Sequence, residues 1–385
     1  MIALLGRKLK SSLHVNKLQC GHTKSRRSFL QCVAGSALYF SLPAPSFSIE
    51  QDVESSLHER ATALLDSVLS VDIHSHAGGI LGHNAIAQDI SSPMKQGRLS
   101  AICLSLASDS ILLSTNKKNK LFARREPKPG ELHAYMVNRL DFVDRMIAQQ
   151  GLQRVLTLAD LQASKEKKSA GVILAVEGSD FLEGKIEHLQ IAYKRGIRHW
   201  QLVHYRMDNA LGDIQTEAPL YGGATPYGLD VVRECNRLGM VVDVAHATFA
   251  TANQIANVSS TPLILSHTGY SAAPKFQSRW ISADHAKLVA DTGGVIGIWA
   301  NAHSFSGFAD YAVGIAKLAD LIGIDHVAIG TDKEAMHPPI FSSYAEFPEF
   351  VGQLLLHFNK TEVGKIVGGN YLRVFDQVTR HGKAD

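Results

Sequence analysis

Six ionisable side chains suited to metal binding or proton transfer stand at, or just after, the ends of short apolar segments. They are His74, Glu177, His204, His246, His267 and Asp332. His74 and His76 are two residues apart, so on an extended chain both imidazoles point to one side and can reach one cation. Glu177 follows the apolar run Val-Ile-Leu-Ala-Val, where a carboxylate needs compensating positive charge, and a metal ion would supply it. The pattern predicts a metal centre rather than scattered core histidines.

The carboxylate at position 177 has two oxygens and could bridge two cations, as hydrolases with two metals require. We predict His74 and His76 on one cation and His246 and His267 on the other. Imidazole nitrogen combined with carboxylate oxygen favours zinc, without excluding manganese, cobalt or iron. The predicted cofactor is therefore two Zn²⁺ per chain that share Glu177.

Eight apolar, β-rich segments must position these residues. They cover 68–74, 100–107, 171–176, 197–204, 240–246, 262–267, 294–301 and 326–332, with helical patterns at 132–148, 227–238, 282–291 and 311–322. Nearly continuous apolar strands are typical of a parallel sheet that is covered on both faces. Eight of them with intervening helices predict a (β/α)₈ TIM-type barrel, in which the strand ends converge on one face. A doubly wound open sheet is the alternative, but no GxGxxG or GxxxxGK[ST] motif follows the first strand.

Three features near the strands carry secondary predictions. In a regular strand Asp72 lies on the same side as His74, where it would either hold an imidazole tautomer or simply end the strand. Residues 108–130 form a basic insertion, which we expect to be a solvated loop. Cys103 and Cys235 are expected to be buried free thiols rather than a disulfide.

The first 48 residues differ in charge from the rest of the 385-residue chain. They hold seven Lys and Arg residues and no acid; removing those seven from the 39 basic residues leaves 32 against 36 acidic ones, a formal charge of −4. The pI of about 8.5 therefore does not imply a nucleic-acid partner. Arg26 and Arg27 precede an apolar stretch at 32–42 and a Pro/Ser-rich tail, the order of a twin-arginine export signal.

That order predicts two segments: a removable signal at 1–48, read by the export machinery, and a single catalytic barrel at 49–385. The apolar stretch is too short for a stable membrane span. The mature protein is accordingly expected to be exported to the periplasm.

Colinear motifs from about Val71 to Phe375 resemble the membrane (renal) dipeptidase family of zinc peptidases. The matching segments are 176–178, 202–204, 209–213, 225–228, 232–240, 243–246, 265–267, 325–332 and 368–375. The resemblance implies a dipeptide-like substrate and places the family's metal ligands on His74, His76, Glu177, His246 and His267. It also places a substrate-contacting histidine on His204, a carboxylate-binding arginine on Arg279 and the acid after the eighth strand on Asp332.

Three departures separate this chain from the family pattern. His76 stands where the family has an acid, Asp332 is followed by Lys333-Glu334-Ala335 rather than Phe-Asp-Gly, and the stretch 270–279 matches poorly. An imidazole in place of a carboxylate removes one negative charge from the site. The sequence therefore leaves substrate specificity more open than metal binding.

The leading hypothesis is hydrolysis of a small amide by a hydroxide that bridges the two metals. His204 would stabilise the oxyanion, Asp332 would move the proton to the leaving amine and contact a substrate ammonium, and Arg279 would pair with a carboxylate. Two alternatives stay open: a related amidohydrolase that acts on another amide, lactone or ester, and a non-catalytic exported metal-binding protein. A homodimer is also left open.

Overall fold

Each predicted strand is present in the computed structural model of the chain, which describes residues 46–82, 86–117, 120–207 and 210–382. The barrel strands are β1 (Val71–Ser75), β2 (Ala101–Ala107), β3 (Gly171–Glu177), β4 (Ile197–Gln201), β5 (Val241–Asp243), β6 (Leu263–Tyr270), β7 (Val295–Trp299) and β8 (Val327–Gly330). They pair in this order, all parallel, and a bridge between Ser75 and Lys333 joins the last strand to the first. The predicted (β/α)₈ barrel is confirmed.

Helices alternate with the strands and cover the outside of the sheet. They are α1 (Ser46–Ser67), α2 (Ser91–Gln96), α3 (Glu131–Gln149), α4 (Leu158–Glu166), α5 (Glu187–Lys194), α6 (Pro226–Leu238), α7 (Phe249–Val258), α8 (Ala283–Asp291), α9 (Phe308–Ile322), α10 (Phe347–Leu354), α11 (Lys360–Gly364) and α12 (Asn370–His381). The four predicted helices are α3, α6, α8 and α9, with ends shifted by at most three residues. The remaining helices were not predicted.

Side-chain caps fix where several helices begin. Thr157, Thr225, Thr248 and Ser282 precede α4, α6, α7 and α8, and each hydroxyl accepts a hydrogen bond from the N–H three residues later. Such a cap satisfies one of the backbone donors that a helix start leaves without a partner. The caps therefore set the point at which each loop above the barrel turns into a helix.

The amino-terminal end of the barrel is filled by apolar side chains. Tyr371, Val374, Phe375 and Val378 of α12 pack in one buried cluster with residues from the starts of the strands, such as Val71. Apolar filling at this end leaves the carboxyl ends of the strands as the place where polar side chains collect.

The predictions made for the signal, for a membrane span and for the two cysteines have different outcomes. Residues 1–45, which hold most of the predicted signal, lie outside the described part, so export and a periplasmic location stay predictions. Residues 48–385 form one compact unit. Of the helices in the described ranges, none has the length and apolar character needed to cross a bilayer. Cys103 and Cys235 are buried free thiols, as predicted.

Two predictions near the strands need correction. The insertion is not a simple solvated loop, because Leu113–Thr115 and Leu121–Ala123 pair as an antiparallel hairpin. Asp72 does not lie with the imidazoles, since the register of β1 shifts between Asp72 and Ser75. Its carboxylate instead accepts hydrogen bonds from the hydroxyls of Thr331 and Tyr344, which ties the end of β8 to β1.

Two glycines make room for a carbonyl beside the polar end of the barrel. A Cβ on Gly297 in β7 or on Gly330 in β8 would overlap the carbonyl oxygen of Ser266 in β6. Gly297→Ala must therefore displace backbone, and we expect it to lower the free energy of unfolding of metal-free protein by ~1–3 kcal/mol. Urea unfolding in a chelator measures this change. Gly352→Ala in α10 is the control, because the nearest atom to a Cβ there is Leu57 Cβ at 3.6 Å, an ordinary contact; equal losses in both variants would contradict the packing argument.

Candidate metal centre

Glu177, the last residue of β3, lies at the centre of five imidazoles. Its Oε1 is 3.5 Å from Nε2 of His74, 3.2 Å from Nε2 of His246 and 3.5 Å from Nε2 of His267; its Oε2 is 3.2 Å from Nε2 of both His76 and His204. All six residues are buried. The strand ends thus bring every predicted metal ligand to one carboxylate.

Three overlapping groups of side chains offer ligand atoms within 4.8 Å of one another. They are His74 with His76 and Asp332, His74 with Glu177 and His267, and Glu177 with His204 and His246. Asp332 and His204 were predicted to act on substrate and proton, and the structure places both within the ligand groups as well. Asp332 Oδ1 lies 3.3 Å from Nε2 of His76 and 3.6 Å from Nε2 of His74.

The hydrogen bonds of these side chains fit a bound cation. His76 Nδ1 lies 2.8 Å from the carbonyl oxygen of Ser105. A carbonyl only accepts, so Nδ1 is the donor, and in the neutral ring Nε2 faces the Glu177 carboxylate with a lone pair. Nε2 of His74 is buried without a hydrogen-bond partner, and Nε2 of His246 and His267 are 3.1 Å apart. Ring nitrogens that converge in this way on one carboxylate are suited to hold a cation between them.

Charge and burial together set the protonation of Glu177, His246 and His267. Burial would raise the pKa of Glu177, but His204, His76 and His74 outweigh it and hold the pKa well below the ordinary value. Burial holds the pKa of His246 and His267 well below 6.5, and the charge of Arg279 acts in the same direction. An ionised carboxylate and neutral imidazoles are the forms that bind a metal.

The pKa of His76 shifts in the opposite direction, because two carboxylates lie beside its ring. Burial opposes protonation of this ring, yet the neighbouring Glu177 and Asp332 raise its pKa to about 10. The two carboxylates therefore attract a cation to this point, and a metal ion meets that demand while leaving the ring neutral.

A second layer of hydrogen bonds orients the imidazoles, and most of it was not predicted. The Ser266 hydroxyl lies 3.2 Å from Nδ1 of His74 and 3.0 Å from Nδ1 of His267. Buried Asp109 lies 2.6 Å from Nδ1 of His204. Asp109 follows the end of β2, so the strand-end pattern that revealed the other residues could also have revealed this one. Such partners fix which ring nitrogen faces a metal.

Two of these residues have backbone conformations that are unusual outside glycine. His246 has φ 66° and Asp332 has φ 53°, both in the left-handed region. Residues held in this region cluster at functional sites, where the surrounding structure compensates for the strain. Here the turn directly after the barrel strand bends each side chain back over the open end.

A cavity of about 490 Å³ opens above Glu177. Arg279 lines it, and its guanidinium donates to the side-chain oxygen of Gln215 at 2.8 Å and to the carbonyl of His267 at 3.2 Å. Both acceptors are neutral, so these bonds hold the group in place without neutralising its charge. Lys333, the cation that follows Asp332, lies outside this cavity, and its Nζ donates to the carbonyl of Ser342 at 3.0 Å.

Other side chains line the cavity without having been predicted. They include Leu81, Leu113, Leu121, Tyr205, Trp299 and Met336. Nothing in residue type or spacing distinguishes them from core or surface residues. The loops that carry them decide their position.

Residues 58–384 match the model of the membrane dipeptidase family, peptidase family M19. The chain belongs to this family. It is 27% identical over 274 residues to dipeptidase aclJ of Aspergillus oryzae, an alignment that covers 66% of this chain and 64% of that protein. The chain therefore spans just under two thirds of the length of that relative.

Two solved structures confirm the fold. The probable dipeptidase PvdM of Pseudomonas aeruginosa has TM-score 0.73 and 18% identity, covering 85% of this chain and all of that one. A metallopeptidase of Rhodobacter sphaeroides, solved with a phosphinate mimic of the dipeptide L-Ala-D-Ala, has TM-score 0.66 and 16% identity, covering 81% and 99%. The family resemblance inferred from the motifs is confirmed.

Proposed function

We propose that this protein is a metal-dependent dipeptidase with two zinc ions that share Glu177. The observation that carries the proposal is the convergence of five imidazole Nε2 atoms on one buried carboxylate, at the floor of a cavity that also contains Arg279. Membership in the membrane dipeptidase family supports the same reaction. Imidazole nitrogen and carboxylate oxygen together favour zinc among the available metals.

The cations, when bound, supply a water of lowered pKa and polarise the scissile carbonyl. His74 and His76 would hold one of them, His246 and His267 would hold the other, and Glu177 would serve both. Burial keeps the rings of His246 and His267 neutral, and the neighbouring histidines keep Glu177 ionised, which are the forms that bind a metal.

Two side chains of the site handle the proton and the developing charge. Asp332 accepts the proton of the attacking water and delivers it to the leaving amine, a contribution that is typically 10²–10⁴-fold in rate. His204, oriented by Asp109 at 2.6 Å, faces the cavity with Nε2 and stabilises the oxyanion. Both residues line the cavity directly above Glu177.

Recognition of a short zwitterion follows from the two opposite charges that line the cavity, Arg279 and Asp332. Arg279 offers a planar guanidinium that pairs with the terminal carboxylate of a dipeptide. Asp332, on the neighbouring side, meets the ammonium group. The dipeptide mimic in the related Rhodobacter sphaeroides structure belongs to the same chemical class.

The proposal is tested by removing and restoring the metal. Purified protein with zinc is expected to cleave dipeptides, to lose that activity in a chelator, and to regain it when zinc is added back. His246→Ala is expected to abolish cleavage and to lower the metal content. Activity that survives both chelation and His246→Ala would overturn the two-metal mechanism.

Esters and lactones in the same screen test the broader amidohydrolase alternative. Metal binding without turnover of any compound would indicate a non-catalytic protein.

A further inference from the structure

The hairpin after β2 forms a wall of the cavity to which Leu113, Leu121 and the hydroxyl residues Ser114 and Thr115 contribute. Its two strands pair so that Leu113 lies opposite Ala123 and Thr115 opposite Leu121. Leu113 and Leu121 are half-buried and line the cavity, together with Leu81 from the loop after β1. Phe122, the next residue along the strand, points to the other face and is 38% exposed. The basic insertion thus presents leucines to the site, and an aromatic side chain to the solvent.

Leucine side chains at this position have no polar group with which to bind a charged or hydrogen-bonding substrate. Each keeps part of its surface exposed within the cavity. An apolar ligand group that covers this surface removes it from water, which is favourable by roughly 25 cal/mol per Å². The wall is therefore complementary to a large apolar group of the substrate.

The order of the strands decides which end of a dipeptide meets this wall. In a ring of eight strands, β2 and β6 are opposite each other, and the hairpin follows β2 whereas Arg279 follows β6. Glu177 and the imidazoles lie between them. A dipeptide with its carboxylate on Arg279 and its scissile carbonyl above Glu177 directs its amino-terminal residue towards the hairpin.

We propose that the cavity selects dipeptides whose amino-terminal residue has a large apolar side chain, which packs against Leu81, Leu113 and Leu121. The proposal rests on the proposed function, because Arg279 and the metal centre set the orientation of the substrate. It gives the hairpin a role in substrate specificity that could not be inferred from the motifs around the metal ligands.

The direct test compares kcat/KM for Leu-Gly, Ala-Gly and Gly-Leu. We expect Leu-Gly to exceed Ala-Gly by about 10–100-fold, from the additional buried carbons, and to exceed Gly-Leu as well. The double variant Leu113→Ser with Leu121→Ser is expected to lower kcat/KM for Leu-Gly by about tenfold or more and to change that for Ala-Gly little. Phe122→Ser is the matched control on the outer face of the same hairpin, and it is expected to leave both values unchanged.

A second variant keeps the test valid if the double variant folds poorly. Leu113→Trp places a larger side chain at the wall and so reduces the space beside it. It is expected to lower kcat/KM for Leu-Gly and to change that for Ala-Gly little. Equal turnover of Leu-Gly and Ala-Gly by wild-type protein, a preference for Gly-Leu, or variants that affect all three substrates alike would overturn the hairpin proposal. Absence of turnover for every dipeptide would instead overturn the proposed function, so the two failures are distinguishable.

Discussion

Glu177→Gln is expected to release both metal ions and to lower kcat/KM for dipeptides by at least about 10³-fold. Glutamine has nearly the shape of glutamate but is neutral, and it offers one oxygen where the bridging role needs two. The lost stabilisation is several kcal/mol of transition-state charge, and each 1.36 kcal/mol is about tenfold in rate. Elemental analysis after dialysis and steady-state kinetics measure the two effects on the same sample.

The geometry makes this the most sensitive position in the site. Every one of the five imidazoles faces Glu177 within 3.5 Å, so no single histidine replacement disturbs as many contacts. Glu187→Gln, an exposed position on α5, is the control and should retain metal and activity. Retention of two metal ions by Glu177→Gln would show that the histidines and Asp332 suffice, and would remove the bridge from the mechanism.

Asp332→Asn is expected to lower kcat by about 10²–10⁴-fold while two metal ions per chain remain bound. The amide cannot take a proton from the attacking water, and general acid–base catalysis contributes a factor of this size. Asparagine keeps an oxygen near His76 and His74, from whose Nε2 atoms Asp332 Oδ1 is 3.3 and 3.6 Å away. In Asp332→Asn, kcat should therefore fall while the metal content stays the same. In Glu177→Gln, both should fall.

The structure also offers a competing role for this residue, as a ligand of the first cation with His74 and His76. Loss of one metal ion per chain in Asp332→Asn would favour that role over proton transfer. Asp325→Asn, at the opposite end of β8, is the control for effects on the strand itself. It is exposed and pairs with Lys365 at 2.6 Å, far along the strand from the cavity.

The sequence by itself determined the barrel and the clustering of most candidate metal ligands, for one physical reason. Strands that are buried on both faces appear in the sequence as continuous apolar segments, and in a parallel barrel their carboxyl ends lie together on one face. A histidine or an acid at each strand end is therefore placed near the others without any knowledge of the loops. His74, Glu177, His246 and His267 satisfied this rule, and Asp109 satisfied it without being recognised.

Tertiary structure alone decided the features that depend on local register and on loop paths. The shift within β1 turned Asp72 away from the imidazoles and towards Thr331 and Tyr344. The Ser266 hydroxyl reaches the rings of both His74 and His267, and Gly297 and Gly330 leave space for the carbonyl of the same residue. The basic insertion folded into a hairpin whose leucines line the cavity. The alternation of side chains along a strand and the position of strand ends describe regular strands. Bulges, close backbone contacts and loops depend instead on partners that are distant in the sequence. The clustering of the candidate metal ligands could thus be predicted from spacing, but their supporting contacts and the wall of the cavity could not.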